Sequence, residues 1–189
     1  MQQHFILHKP YGYLSQLINN QNKRKNKRLL GELFDFPEGT MAIGRLDENS
    51  EGLLFLTTDG KVSETIRSAK VEKEYYAQVD GLITTEAINK LQKGVEISVN
   101  GTKYVTKSCS AKNIENVSVF PFENRKVRDA RHGPTSWVSI TLTEGKFRQV
   151  RKMTAAVGFP TLRLVRVRIG SVLLSLKTGN TKKVDSFFN

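Results

Sequence analysis

The chain has 189 residues, with 30 Lys or Arg and 18 Asp or Glu, so its formal net charge at neutral pH is +12. A hydrophobic content of 38% is too high for a disordered chain. The apolar runs are too short for a bilayer-spanning helix, and residues 1–10 lack the apolar stretch of a secretory signal. A lone cysteine, Cys109, excludes an intramolecular disulfide and fits a reducing compartment. Composition therefore predicts a soluble, cytoplasmic, basic globular protein.

The positive charge is concentrated in two segments. Residues 19–30 contain five bases and no acid, and residues 120–168 contain eleven bases and three acids. Clustered Lys and Arg side chains are the electrostatic footprint of a protein that binds a polyanion, and nucleic acid is the commonest such partner. A solvated loop and a charged surface without a partner are the alternative that the charge pattern leaves open.

Short apolar runs in the first half of the chain predict strands and two helices. In chain order we expect strands at 5–7, 53–57 and 73–79, and helices at 61–68 and 85–93. The alternating residues 95–99 then lead into Asn100-Gly101, the strongest short-range signal of a tight hairpin, with a return strand at 104–105.

The second half of the chain continues this pattern of short elements. We expect strands at 117–122, 138–142 and 164–169, with a basic loop at 123–134 between the first two. The strand at 164–169 would place Arg166 and Arg168 on a polar face. A helix after Gly145 would bury four apolar residues, namely Phe147, Val150, Met153 and Val157. Many short strands with few helices predict an α+β fold with a mixed, largely antiparallel sheet.

Motifs of the common cofactor sites are missing from the sequence. His4 and His8 could share the face of a helix, but their surroundings predict a strand, and no cysteine pair or acidic partner accompanies them to indicate a metal site. Gly-rich phosphate loops and the Gly-x-Ser-x-Gly turn of hydrolases are also missing. The sequence therefore predicts a protein that uses neither a metal nor a cofactor.

The polar segment at residues 47–52, Asp-Glu-Asn-Ser-Glu-Gly, lies between two apolar runs. Its first six positions resemble the start of an EF-hand calcium loop, with Gly at position six. Position twelve is Thr58 instead of a bidentate Glu, and the flanking runs predict strands instead of helices. We therefore exclude calcium, and an acidic surface turn is the simplest alternative.

A second polar segment, residues 144–153, reads Glu-Gly-Lys-Phe-Arg-Gln-Val-Arg-Lys-Met. It places Arg148, Arg151 and Lys152 at i, i+3 and i+4, on the polar face of the predicted helix. An ordinary amphipathic surface helix would show the same pattern.

Together these segments resemble the RNA pseudouridine synthases that modify ribosomal RNA, in the family of the ribosomal small-subunit synthase A. The matching stretches follow the family's order: residues 8–12 (HKPYG), 44–54 (GRLDENSEGLL), 73–75 (KEY), 144–153 (EGKFRQVRKM) and 160–170 (PTLRLVRVRIG). The resemblance is greatest to the large-subunit synthase E group. It implies the pseudouridine synthase fold, with a central active-site cleft, in a single catalytic domain of residues 1–189 in which two lobes are possible. No S4-type RNA-binding domain is expected before Phe5.

The resemblance implies an enzyme that isomerises a uridine in ribosomal RNA to pseudouridine without metal, cofactor or energy source. Asp47 is implied as the nucleophile, because a carboxylate can form a covalent intermediate and later leave. Arg151 is implied as its ion-pair partner, and Tyr75 as the residue that stacks on the base. The target base would have to be flipped out of the folded RNA. A tRNA-directed synthase, or a non-catalytic RNA-binding protein with the same fold, is the alternative.

The resemblance also implies which residues contact RNA and what the protein binds. The expected contacts are Arg45, Lys73, Lys146, Arg148 and Lys152, with Leu164 as an apolar wall of the base pocket. The expected partner is 23S ribosomal RNA, bound by a monomer that does not associate with a membrane.

Overall fold

The computed structural model of the chain describes residues 2–18, 26–68 and 70–188. Residues 19–25 of the basic segment at 19–30, for which the sequence predicts a polar loop over 19–28, lie outside these ranges. Within the described ranges, no helix has the length and apolar character needed to cross a membrane.

The described residues form short strands and three α-helices. The strands are β1 His4–Lys9, β2 Tyr13–Leu14, β3 Arg28–Leu29, β4 Met41–Ile43, β5 Ser50–Thr57, β6 Lys73–Asp80, β7 Glu96–Val99, β8 Thr102–Val105, β9 Ser110–Ile114, β10 Thr135–Leu142, β11 Thr161–Ile169, β12 Val172–Leu173 and β13 Thr181–Val184. The helices are α1 Gly60–Ser68, α2 Thr85–Lys93 and α3 Gln149–Ala156. Single 3₁₀ turns lie at Leu30–Glu32, Val117–Val119 and Ala130–His132.

The chain divides into two compact units, and the first comprises residues 1–71, 121–123 and 166–189. Residues 166–169 of β11 belong to this unit, and its other strands include β1, β4, β5 and β13. The strand order is β13-β1-β5-β11, and β4 also pairs with β5. β1 is antiparallel to both β13 and β5. Because residues 53–56 are apolar at every position, β5 is buried along its whole length. One core cluster of this unit consists of Phe5, Leu7, Leu30, Leu54 and Leu56.

The second unit comprises residues 72–120 and 124–165. Its strands are ordered β11-β6-β10-β9, and β10 is antiparallel to β6 and to β9. A separate hairpin joins β7 to β8 through Asn100-Gly101, as predicted. Helix α2 has the predicted bounds, because the Thr84 side chain caps its first turn and Gly94 ends it. Ala87 and Leu91 of α2 lie in the same core as Val138 and Ile140 of β10.

The predicted strand at residues 117–122 is wrong, and six of the described strands were not predicted, namely β2, β3, β4, β9, β12 and β13. Residues 117–119 form a 3₁₀ turn, because the Asn116 side chain accepts the backbone N–H of Ser118 at 3.0 Å. β9 and β13 escaped prediction because both are edge strands, in which few side chains are buried.

Two predictions about the last third of the chain also need correction. The helix after Gly145 begins only at Gln149, so Phe147 and Arg148 precede it, and Phe147 is exposed instead of packed. Arg166 of β11 was expected on a polar face but is buried, and its Nε donates a 2.7 Å hydrogen bond to the Leu53 carbonyl. This hydrogen bond to a buried backbone acceptor offsets part of the cost of desolvating the guanidinium.

Candidate active site

The first part of the candidate site is the turn that carries Asp47, between β4 and β5. Asp47 is half-buried, and its carbonyl accepts the Ser50 N–H at 3.0 Å, which closes the turn. The preceding residue, Leu46, is buried, and both of its backbone groups bind the Ser15 hydroxyl, at 2.7 and 2.9 Å. The backbone is therefore fixed on both sides of the carboxylate.

Lys9 lies at the end of β1 and is fully buried next to this turn. Its Nζ donates hydrogen bonds to the carbonyls of Ser50 at 2.8 Å, Pro10 at 2.9 Å and Glu48 at 3.4 Å. Burial lowers the pKa of Lys9 to about 8, although Glu51, Asp47 and Glu48 act in the opposite direction. The amine thus ties β1 to the Asp47 turn.

Sequence reasoning included Lys9 in a motif but gave it no role. The signal that could have revealed its role is a lysine at the end of an apolar strand. At such a position the side chain must bend for its amine to reach water. Two of the three carbonyls that bind its amine come from residues about forty positions away, which a local pattern does not reveal.

The acidic-surface-turn alternative fits only half of the segment at residues 47–52. Glu48 is half-buried and forms a 2.6 Å ion pair with Lys27, whereas Ser50 and Glu51 are fully buried in β5. A Cβ on Gly52 would lie 2.3 Å from the carbonyl oxygen of Arg166, so the strands approach too closely for any other residue. Arg45, at the start of the same turn, is exposed.

In the second unit, Tyr75 and Leu164 belong to one packed region. Tyr75 lies on β6 opposite Ile140 of β10 and packs against the core of the unit. The same core contains Val150 and Met153 of α3, together with Leu164 of β11. The fold thus places Tyr75 and Leu164 beside the helix that carries Arg151.

Helix α3 is fixed to the start of β11 through Arg151 and Thr154. The half-buried Arg151 donates from Nη1 to the carbonyl of Thr161 at 3.3 Å. The hydroxyls of Thr154 and Thr161 are hydrogen-bonded at 2.7 Å. Lys152, on the next position of the helix, donates from Nζ to the Ser98 carbonyl of the hairpin at 2.7 Å.

The turn before α3 is organised by the Glu144 carboxylate. Glu144 accepts hydrogen bonds from the Tyr104 hydroxyl, from the Lys107 backbone N–H at 3.0 Å and from Gln149 Nε2 at 2.7 Å. Burial opposes ionisation of Glu144, but these three donors outweigh it and lower the pKa of the carboxyl below its ordinary value. Sequence reasoning did not single out Glu144 or Gln149 as supports of this turn.

The remaining predicted residues have varied surroundings. Lys73 is half-buried at the start of β6, and Lys146 is exposed with its Nζ 4.7 Å from the centre of the Tyr104 ring. Arg148 adopts a left-handed backbone conformation, with φ of 53°, immediately before α3. Asp47 and Arg45 belong to the first unit and the other predicted residues to the second, so the pairing of Asp47 with Arg151 stays a prediction.

Comparison with known proteins identifies the family. The sequence profile of the family described as RNA pseudouridylate synthase matches residues 3–156. The chain belongs to this family. The predicted pseudouridine synthase fold and isomerase class are thereby confirmed.

Individual members of the RNA pseudouridylate synthase family match over most of their length. "Ribosomal large subunit pseudouridine synthase E" of Xanthomonas campestris pv. campestris is 39% identical over 96% of this chain and 95% of its own. The protein of the same name from Vibrio parahaemolyticus is 38% identical over 95% of this chain and 72% of its own. A solved structure described as a pseudouridylate synthase superposes with a TM-score of 0.76 and 27% identity, over 97% of this chain and 70% of that one.

Proposed function

We propose that this chain converts a specific uridine of 23S ribosomal RNA, in the large ribosomal subunit, to pseudouridine. The observation that carries the proposal is the 39% identity to a large-subunit synthase E along nearly the full length of both chains. This match supports the proposal because it extends over nearly the whole of both chains and is not confined to one motif.

The charge of the chain supports an RNA substrate. Residues 120–168 contain eleven Lys and Arg against three acids. Arg163 and Arg166 are buried, and the other bases form a stretch suited to contacts with phosphate groups. We propose that Arg45, Lys73, Lys146, Arg148 and Lys152 contact the RNA and that Leu164 forms an apolar wall beside the target base.

We further propose that Asp47 is the nucleophile. The reaction breaks the bond between N1 of the base and C1′ of the ribose and forms a bond between C5 and C1′, while C5 loses a proton and N1 gains one. A carboxylate can hold one fragment covalently while the base turns, and can then leave. The fixed backbone on both sides of Asp47 supports this role, because it keeps the carboxylate in one place during the reaction.

Tyr75 and Arg151 are proposed as the partners of Asp47 in the reaction. Tyr75 would stack on the uracil ring, and Arg151 would pair with the carboxylate and orient it. Their anchoring within the second unit supports these roles. Tyr75 is packed against the core, and the guanidinium of Arg151 is held by the Thr161 carbonyl.

The proposed enzyme acts in the cytoplasm as a monomer, with residues 1–189 forming one catalytic domain. We propose that it needs neither metal nor cofactor, as the family resemblance implies; the reaction is an isomerisation with no net oxidation or reduction, so it consumes no redox reagent. Purified protein in EDTA should therefore still form pseudouridine in a 23S ribosomal RNA fragment.

The target is tested by mapping pseudouridine chemically in ribosomal and transfer RNA from cells with and without the gene. We expect one position of 23S ribosomal RNA to lose its pseudouridine and to regain it when purified protein is added. The proposal would be refuted if a pseudouridine of transfer RNA were lost instead, or if no pseudouridine were lost.

A further inference from the structure

Phe147 is an exposed aromatic residue at the tip of the turn before α3. Its side chain belongs to the pattern that predicted the buried face of the helix, yet 61% of the residue is exposed. Large apolar side chains scattered singly over a surface need no explanation. The surroundings of Phe147 distinguish it from such cases.

The turn that carries Phe147 is pinned on both sides of the ring. The backbone N–H of Lys146 donates to Gln149 Oε1 at 3.0 Å, and the backbone N–H of Gln149 donates to the Lys146 carbonyl at 3.1 Å. Gln149 is itself held by Glu144. A fixed turn presents the ring with little loss of chain entropy when a partner binds.

One cationic side chain lies over the ring, and two more flank Phe147 in the sequence. Lys152 Nζ lies 5.2 Å from its centre, and Lys146 and Arg148 are its neighbours in the sequence. A flat aromatic surface among positive charges is the arrangement that binds single-stranded nucleic acid, because the ring stacks on a base while the cations contact phosphates. An apolar protein partner is disfavoured here, since the cores of protein interfaces are depleted of charged residues.

We propose that Phe147 stacks on an unpaired base of the substrate RNA, with Lys146, Arg148 and Lys152 contacting the adjoining phosphates. This inference rests on the proposed function and adds to it a structural requirement on the RNA substrate. The enzyme selects RNA in which a base near the modified uridine is unpaired.

The test compares RNA binding by four variants with binding by the wild-type protein. The probes are a fluorescent ten-nucleotide single-stranded oligouridine and a ten-base-pair RNA duplex, each titrated with protein over a range of salt concentrations. The variants are Phe147→Ala, Phe147→Leu, Phe147→Tyr and the control Leu82→Ala, which removes another apolar side chain of the same unit that is 65% exposed.

We expect Phe147→Ala to weaken binding of the single strand about tenfold, within the range for removal of a base-stacking aromatic. Phe147→Leu should lose most of the same affinity, Phe147→Tyr should retain it, and Leu82→Ala should match the wild type. Binding of the duplex should not change. The salt dependence of Phe147→Ala should equal that of the wild type, because no charge is removed.

The stacking proposal would be overturned if Phe147→Ala or Phe147→Leu bound the single strand with wild-type affinity. It would also be overturned if these variants lost as much affinity for the duplex as for the single strand. Pseudouridine formation by the wild-type enzyme is measured separately. Stacking-dependent binding without pseudouridine formation would refute the proposed function alone. Pseudouridine formation with unchanged binding by Phe147→Ala would refute the stacking alone.

Discussion

The Nζ of Lys9 lies 2.8 Å from the carbonyl oxygen of Ser50, three residues after Asp47. This contact joins the end of β1 to the turn that carries the proposed nucleophile. It also places an amine in a buried position, where its charge opposes folding. The stability of the protein should therefore depend on pH through Lys9.

Substitution Lys9→Met should remove this pH dependence. The pKa of Lys9 is about 8 in the folded protein against 10.5 in an exposed lysine, so between these values the unfolded chain binds more protons. Raising the pH from 8 to 10 should thus stabilise the wild type relative to Lys9→Met, by about 2 kcal/mol. Urea unfolding of both proteins across this range measures the difference. Parallel pH curves would show that the amine is not buried as described.

Substitution Gly52→Ala should destabilise the first unit severely. The added methyl group would lie 2.3 Å from the Arg166 carbonyl oxygen, and the backbone φ of 107° is itself unfavourable for alanine. We expect a loss of more than about 3 kcal/mol in the free energy of unfolding. Gly60→Ala is the control, since a Cβ at Gly60 meets nothing within 4 Å and its change should stay within about 1 kcal/mol. Equal stabilities of the two variants would contradict the close approach of Gly52 to Arg166.

Substitution Glu144→Gln should alter the titration of Tyr104. The hydrogen bond to Glu144, with burial and the negative charge of Glu144 adding to it, raises the pKa of Tyr104 above the ordinary 10.0. Without the carboxylate, the pKa of Tyr104 should move back toward that value, and the phenolate absorbance should rise at lower pH. The exposed Glu115, changed to Gln, serves as the control. Superimposable titrations of wild type and Glu144→Gln would refute the contact.

Cys109 should react slowly with alkylating reagents while the protein is folded. Burial, with a contribution from Glu144, raises the pKa of the thiol from 9.0 to about 11. Because the thiolate is the reactive form, alkylation at pH 8 should be about a hundredfold slower than in the unfolded chain. Intact mass against time, with and without urea, gives both rates. Equal rates would show an accessible, ordinary thiol.

Elements with strong local signals could be predicted from the sequence. Helix α2 has a capping threonine, two buried apolar residues on one face and a terminal glycine, so its bounds were predicted correctly. The tight hairpin through Asn100-Gly101 and the apolar β5 were predicted for similar reasons. Motif resemblance identified the Asp47 turn, although nothing local to Asp47 distinguishes it from a surface acid.

The supports of the site depend on contacts distant in sequence and could not be predicted. Lys9 binds carbonyls about forty residues away, and Arg166 binds the Leu53 carbonyl more than a hundred residues away. Helical periodicity also placed Phe147 in α3. The hydrogen bonds of Glu144 and Gln149 instead hold a turn there and delay the start of the helix.

The most direct test of the central claim is the rate of pseudouridine formation by Asp47→Asn under single-turnover conditions on a 23S ribosomal RNA fragment. The amide keeps the size of the side chain but removes the nucleophilic carboxylate, so we expect no detectable product while the affinity for RNA persists. Glu48→Gln is the matched control, because it neutralises the next residue of the same turn and removes a half-buried ion pair with Lys27 while leaving the Asp47 carboxylate in place. We expect this control to retain close to the wild-type rate. Near-normal pseudouridine formation by Asp47→Asn would contradict the assignment of Asp47 as the nucleophile.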